Sequence, residues 1–189
     1  MPEFPPSDAH AQIRVMPVDA RLAPAVRALQ LRPDQAGFVG DVAFNLDDAQ
    51  RDPLSDAMAI LADDAVIGFY RLDRAPGAVV GRRLALPHLG VRAFMIDHRR
   101  QGRGDGARAA GACRDDARRR YPQHRWLALT VDHHNLAAIA AYRRAGFTDG
   151  DAPGQPACVG GQRLLLCKLD PFAAPVQRST RPQDPTPRS

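Results

Sequence analysis

Apolar residues along this chain recur in two alternating periods, and the switches between them mark out strands and helices. Ile13 to Val18 alternates as a short strand does, and Arg21 to Leu31 repeats at helical spacing until Pro33 stops it. Asp34 to Asp56 is rich in aspartate yet holds Phe38, Val39, Phe44 and Leu46, which suits a second helix and a long surface loop. Ala57 to Leu61 and Val66 to Leu72 predict a hairpin around the acidic turn Ala62-Asp63-Asp64-Ala65. A strand from Leu89 to Ile96 and a helix from about Gly104 to Arg120 follow. Tyr121-Pro122 ends that helix, because proline disfavours helical geometry in the residue before it. Trp126 to Val131 reads as a strand and Asn135 to Ala145 as a helix, with Gly146 at the left-handed helix terminus. After a Gly/Pro-rich loop from Gly150 to Gly161, Gln162 to Leu169 makes a last strand, buried on both faces at Leu164-Leu165-Leu166.

At 189 residues, 44% apolar and 25% charged, this pattern fits one domain over residues 12–170. It lies between a flexible arm at 1–11 and a disordered Pro/Arg-containing tail at 171–189. No segment approaches the roughly 20 apolar residues of a membrane span, and MPEFPPSDAH has no signal-peptide pattern. Cys113, Cys158 and Cys167 form no C-x-x-C pair, so they read as reduced thiols rather than a disulfide framework or zinc site. The expectation is a cytoplasmic protein without a metal.

A formal charge of +5 and a pI near 9.7 leave nucleic acid, acidic membranes and phosphorylated cofactors open as partners. Distribution narrows them. Eight arginines lie between Arg99 and Arg120, but they alternate with acids as a solvated helix face does, so neither nucleic acid nor membrane is expected as a partner. Seven acids against one arginine lie between Asp41 and Asp64, and the stretch Asp41 to Asp56 suggests a site shaped for a cationic substrate. Glu3 is the only glutamate, so no glutamate within the folded region can act as a base.

The chemistry concentrates where the strand ending Met95-Ile96-Asp97 runs through His98-Arg99-Arg100-Gln101-Gly102-Arg103-Gly104-Asp105-Gly106-Ala107 into a helix. Glycines there let backbone N–H groups approach an anion at the positive end of the helix dipole, with Arg100 and Arg103 adding formal charge. A Walker loop would need Gly-Lys-Ser/Thr where Gly104-Asp105-Gly106 stands, and the dinucleotide fingerprint fits only in relaxed form. What remains is Gln-x-x-Gly-x-Gly from Gln101 to Gly106. Downstream, Asn135, Ala138 and Tyr142 are spaced three and four apart, so they share one helix face ahead of Gly146-Phe147.

These two motifs, in this order, resemble the pyrophosphate loop and the Asn-x-x-Ala-x-x-x-Tyr-x-x-x-Gly-Phe signature of the GNAT superfamily of N-acetyltransferases. Gln35-Ala36-Gly37-Phe38-Val39 and Phe94-Met95-Ile96-Asp97 are similar to segments of its spermidine/diamine acetyltransferase-like branch. The resemblance implies an α/β (mixed α+β) fold, a twisted mixed sheet of about six to seven strands flanked by about four helices. It implies acetyl-CoA as cosubstrate, with Met95 and Ile96 pairing with pantetheine and Gln101, Gly102, Arg103, Gly104, Gly106 and Ala107 around the pyrophosphate. Asn135 would contact the cofactor, and an N–H near Met95 would face the developing oxyanion.

Tyr142 is the expected proton donor to the departing thiolate, since a phenol of pKa about 10 matches a thiol of about 8.5 to 10. Direct transfer in a ternary complex then needs no nucleophile, and Cys113 reads as packing. The base is open among His88, His98, Asp97, the aspartates of the acidic loop and a water chain, because Arg92 and Ala93 stand where related polyamine enzymes place acids. Asp105 is expected to point away from the phosphates. His133-His134 reads as a solvated turn whose neighbours face opposite sides rather than share an ion. The acceptor reads as a small cationic amine, with a protein amine as the alternative. A CoA-binding or nucleic-acid-binding regulatory module is a third option, and a homodimer is open.

Overall fold

The computed structural model describes residues 11–79, 84, 86–150, 158–159 and 161–169. The arm, the tail and most of the Gly150–Gly161 loop, including the Cys158 side chain, lie outside the described residues.

Eight strands form one mixed sheet: β1 (Ile13–Pro17), β2 (Ser55–Ala62), β3 (Ala65–Asp73), β4 (His88–Ile96), β5 (Trp126–Asp132), β6 (Thr148–Asp149), β7 (Cys158–Val159) and β8 (Gln162–Lys168). Their order is β1-β2-β3-β4-β5-β8-β6, with β7 also on β8. Among the described residues only the β4–β5 pair is parallel. The helices are α1 (Ala23–Arg27), α2 (Ala36–Val39), α3 (Val42–Arg51), α4 (Asp105–Arg120) and α5 (Leu136–Arg144).

The sheet is apolar on both faces, which explains why β2 reads as a continuous run: Met58 and Ile60 belong to one core and Ala57, Ala59 and Leu61 to the other. The first core packs α4 and α5, through Ala109, Cys113, Ala117, Ile139 and Tyr142, onto Tyr70 and Leu72. The second packs α1 and α3, through Val26, Leu46 and Ala49, onto Phe69 and Met95. The site sits where these two layers meet around the end of β4.

Two expectations change. The helix expected over Arg21 to Leu31 is confined to Ala23–Arg27. Gln30 leaves it because its N–H donates to Asp97 Oδ2 at 3.0 Å and its carbonyl accepts from the His98 N–H at 2.9 Å. The segment expected as one helix and a long loop holds two helices, α2 and α3, and Asp41 caps α3 through the Phe44 N–H at 2.7 Å.

Candidate active site

The geometry begins with β4. Phe69 pairs with Met95 and Arg71 with Arg92, so Ala93 and Phe94 together oppose Tyr70 in a β-bulge, with Ala93 in the left-handed region at φ 48°. Gly68 allows the close approach of β3 just beyond it, since a Cβ there would stand 2.4 Å from the Met95 carbonyl oxygen. On its other side β4 pairs with β5 only at His88, Leu89 and Gly90. Beyond Gly90 the two strands part, although β4 runs on to Ile96 and β5 to Asp132. The open edge at Phe94, Met95 and Ile96 leaves backbone groups for an extended ligand.

After β4 a 3-10 turn at His98–Arg100 leads to Gly102 and Gly104, with φ of 78° and 80°. The left-handed backbone would strain a side chain at either position, although no atom lies within 4 Å of the added Cβ. Gly104 is the N-cap of the 16-residue α4 and supplies no side-chain cap, so the first-turn N–H groups are left for an anion. Asp105 is buried, with Oδ2 accepting from Arg100 Nε at 2.9 Å and Oδ1 paired with Arg108. Its carboxylate is therefore turned into the protein. This corrects the role expected of Arg100, which is itself buried against Asp105 rather than offered to phosphate.

Helix α5 forms the opposite wall. Asn135 is its N-cap, with Oδ1 accepting from the Ala138 N–H at 3.1 Å. Tyr142 lies on the same face, buried, edge-on to Phe94 at 5.6 Å and 5.5 Å from Phe147. Burial pushes its phenol above the ordinary tyrosine value, so the group stays protonated. Cys113 is buried and its thiol is pushed up to about 12, chiefly by burial, which suits packing and not nucleophilic attack.

These walls enclose a cavity of about 480 Å³. Met95, Ile96, Gln101, Gly102, Gly104, Gly106, Ala107, Asn135 and Tyr142 all line it, whereas Arg103 is exposed outside it. The small residues Ala138 and Ala141 leave room along α5. Sequence reasoning missed the third wall, formed by Leu31, Arg32, Gln35, Phe38 and Val39. The Gln-x-x-Phe-Val segment was its only signal.

Among the described residues no carboxylate lines this cavity. Asp41 caps α3, Asp52 accepts the Leu54 N–H, and Asp47, Asp48 and Asp56 pair with Arg27, Arg71 and Arg74. Asp97 is no base either. Burial raises its pKa, but the Arg99 side chain and the Arg99 and Gln30 N–H groups outweigh this, and the net shift is downward. His88 is buried at the far end of β4, with Nδ1 2.9 Å from the Leu86 carbonyl oxygen, and His98 does not line the cavity.

Residues 133–134 occupy a turn beyond β5, so the two histidines do not face opposite sides: their ring centroids are 3.8 Å apart. Ligand atoms of Asp132, His133 and His134 lie within 4.8 Å of one another. His133 Nδ1 lies 2.7 Å from the Gly161 carbonyl oxygen, and Asp132 Oδ1 accepts from the His134 N–H. Among the described residues, no helix is long and apolar enough to cross a membrane. Arg99, Arg100, Arg108, Arg114, Arg119 and Arg120 each pair with an aspartate.

The family model described as acetyltransferase (GNAT) matches residues 24–147. No curated protein sequence matches the chain. Among solved structures, the aminoglycoside acetyltransferase AAC(6')-Ib with paromomycin and acetyl-CoA superposes with a TM-score of 0.64 at 15% identity, covering 82% of this chain and 93% of that one. The spermidine N-acetyltransferase of Vibrio cholerae with CoA and spermine gives 0.60 at 11%, covering 84% and 96%. The GNAT domain of S. lividans PAT gives 0.58 at 18%, covering 82% and 90%. These likenesses establish the shared fold.

Proposed function

The chain belongs to the acetyltransferase (GNAT) family, and from that premise we propose that it moves the acetyl group of acetyl-CoA directly onto the primary amine of a small molecule. The observation that carries this reading is one cavity shared by the left-handed glycine turn, the open edge of β4 and the buried phenol of Tyr142.

The site suits the cosubstrate by its own chemistry. An uncapped helix start behind Gly102 and Gly104 offers N–H groups to a pyrophosphate, and the parted edge of β4 offers pairing groups to the pantetheine amides. A backbone N–H near Met95, beside the bulge at Ala93 and Phe94, would stabilise negative charge as the amine attacks the thioester carbonyl. The C–N bond forms, the C–S bond breaks, and the Tyr142 proton goes to the sulfur. With no carboxylate on the cavity wall among the described residues, the amine proton leaves through water, and water returns a proton to the Tyr142 phenolate to close the cycle. The reading keeps to a small primary amine, because among the described residues no carboxylate lines the cavity to select a polycation.

The test is release of CoA thiol from acetyl-CoA against polyamines, amino acids, aminoglycosides and peptides. We expect amine-dependent release with at least one small amine. Release with peptides alone would move the acceptor to a protein amine, and no release with any amine would overturn the reading.

A further inference from the structure

Gln35 and Gln101 are 66 positions apart in sequence and form a closed pair of side-chain amides. Gln35 Nε2 donates to Gln101 Oε1 at 3.0 Å, and Gln101 Nε2 donates to Gln35 Oε1 at 2.9 Å. Gln101 Nε2 also donates to the Ile96 carbonyl at 2.9 Å. Gln101 thus ties three parts of one cavity together: the end of β4, the start of the glycine turn and the wall that carries Leu31, Phe38 and Val39. A second tie lies five residues before Gln35, where Gln30 is held by Asp97 and His98. That tie fixes only the start of the wall. Across the cavity the wall reaches the cofactor turn through the amide pair.

We propose that Gln35 is a positioning residue that acts through Gln101, so that the cofactor turn and the 30–39 wall are set as one unit and binding of CoA orders that wall. The inference rests on the acetyl-CoA reading above. Two reciprocal amide bonds can be satisfied together only when the carboxamides are coplanar and in register. Movement of the turn toward a bound pyrophosphate must then carry the wall with it or leave two half-buried amides unpaired, which is unfavourable. A ligand that favours one arrangement of the turn thereby favours one arrangement of the wall.

Amide hydrogen exchange of the full chain, with and without saturating CoA, tests this. In the wild type, CoA should slow exchange both in segment 99–107 and in segment 30–39. In Gln35→Leu, CoA should still protect 99–107, with a Kd weakened about three- to tenfold, while protection of 30–39 is lost. The variant Gln35→Glu supplies an independent readout. Its carboxylate accepts from Gln101 Nε2 but cannot donate to Gln101 Oε1, whereas the protonated acid restores both bonds. The ratio of its CoA Kd to that of the wild type at the same pH should therefore fall toward one as pH is lowered from about 8 to about 4, through the ordinary glutamic acid pKa of about 4.3. CoA protection of 30–39 that persists in Gln35→Leu would overturn the proposal. So would a Kd ratio for Gln35→Glu that does not change with pH, or a wild type in which CoA protects the turn alone. A wild type that binds no CoA would instead remove the acetyl-CoA reading.

Discussion

Tyr142 of α5 meets Phe94 of β4 edge to face, with ring centroids 5.6 Å apart. Phe94 is one of the two bulge residues and lies 5.7 Å from Tyr70 on the neighbouring strand. The bulge at the end of β4 therefore also sets the position of the phenol.

Replacing Tyr142 by Phe keeps this ring contact and removes only the hydroxyl. We expect kcat to fall about 10²- to 10⁴-fold, with the calorimetric affinity for CoA unchanged. Equal losses in kcat and affinity would show that the hydroxyl binds the cosubstrate and does not deliver a proton.

The pH dependence follows from the same burial. As the proposed proton donor Tyr142 would act in its protonated form, and burial raises its pKa, so loss of the acid would move to higher pH. The acceptor amine must be neutral, and its neutral fraction grows with pH. Turnover under saturating substrates should therefore rise from pH 7 without the falling limb that an ordinary tyrosine would give at about 10. A decline centred there that persists in Tyr142→Phe would assign the limb to another group.

The glycine turn can be tested by paired substitutions. Gly104→Ala forces a side chain into a left-handed position at φ 80°, which costs about 1–2 kcal/mol, and it should weaken CoA binding as well as lower the melting temperature. Gly111→Ala in the middle of α4 meets no atom within 4 Å and should stabilise the protein by about 0.5–1 kcal/mol with CoA affinity unchanged. Thermal unfolding and calorimetry on both variants check this, and equal effects of the two on affinity would contradict it.

Asp97 joins the turn to the cavity wall. Its carboxylate accepts from the Gln30 and Arg99 N–H groups, each at 3.0 Å, and from the Arg99 guanidinium at 2.8 Å. Asp97→Asn should lower stability by about 1–3 kcal/mol at pH 7, measured by urea unfolding. Because the folded-state pKa is depressed, this contribution is complete above the unfolded value of about 3.9 and is lost as pH falls through the folded one. The gap between variant and wild type should therefore close in acid. A gap that stays constant with pH would show that the carboxylate charge plays no part.

How much of this was legible in the sequence depended on distance along the chain. The strand, glycine turn and helix around Gln101, and the face shared by Asn135, Ala138 and Tyr142, are local patterns, and the structure places both on one cavity. The bulge was not legible, because an alanine occupies the left-handed position where glycine would have signalled it. Nor was the early end of α1, which is set by Asp97, a residue 67 positions away from Gln30. The acidic stretch shows the same dependence on distance: composition counts charges but does not show that Asp47, Asp48 and Asp56 pair with Arg27, Arg71 and Arg74.

Calorimetric titration of the full chain with CoA tests the central claim most directly. The glycine turn and the edge of β4 should give saturable one-to-one binding that Gly104→Ala weakens and Tyr142→Phe does not. Absence of binding at millimolar CoA would contradict the account.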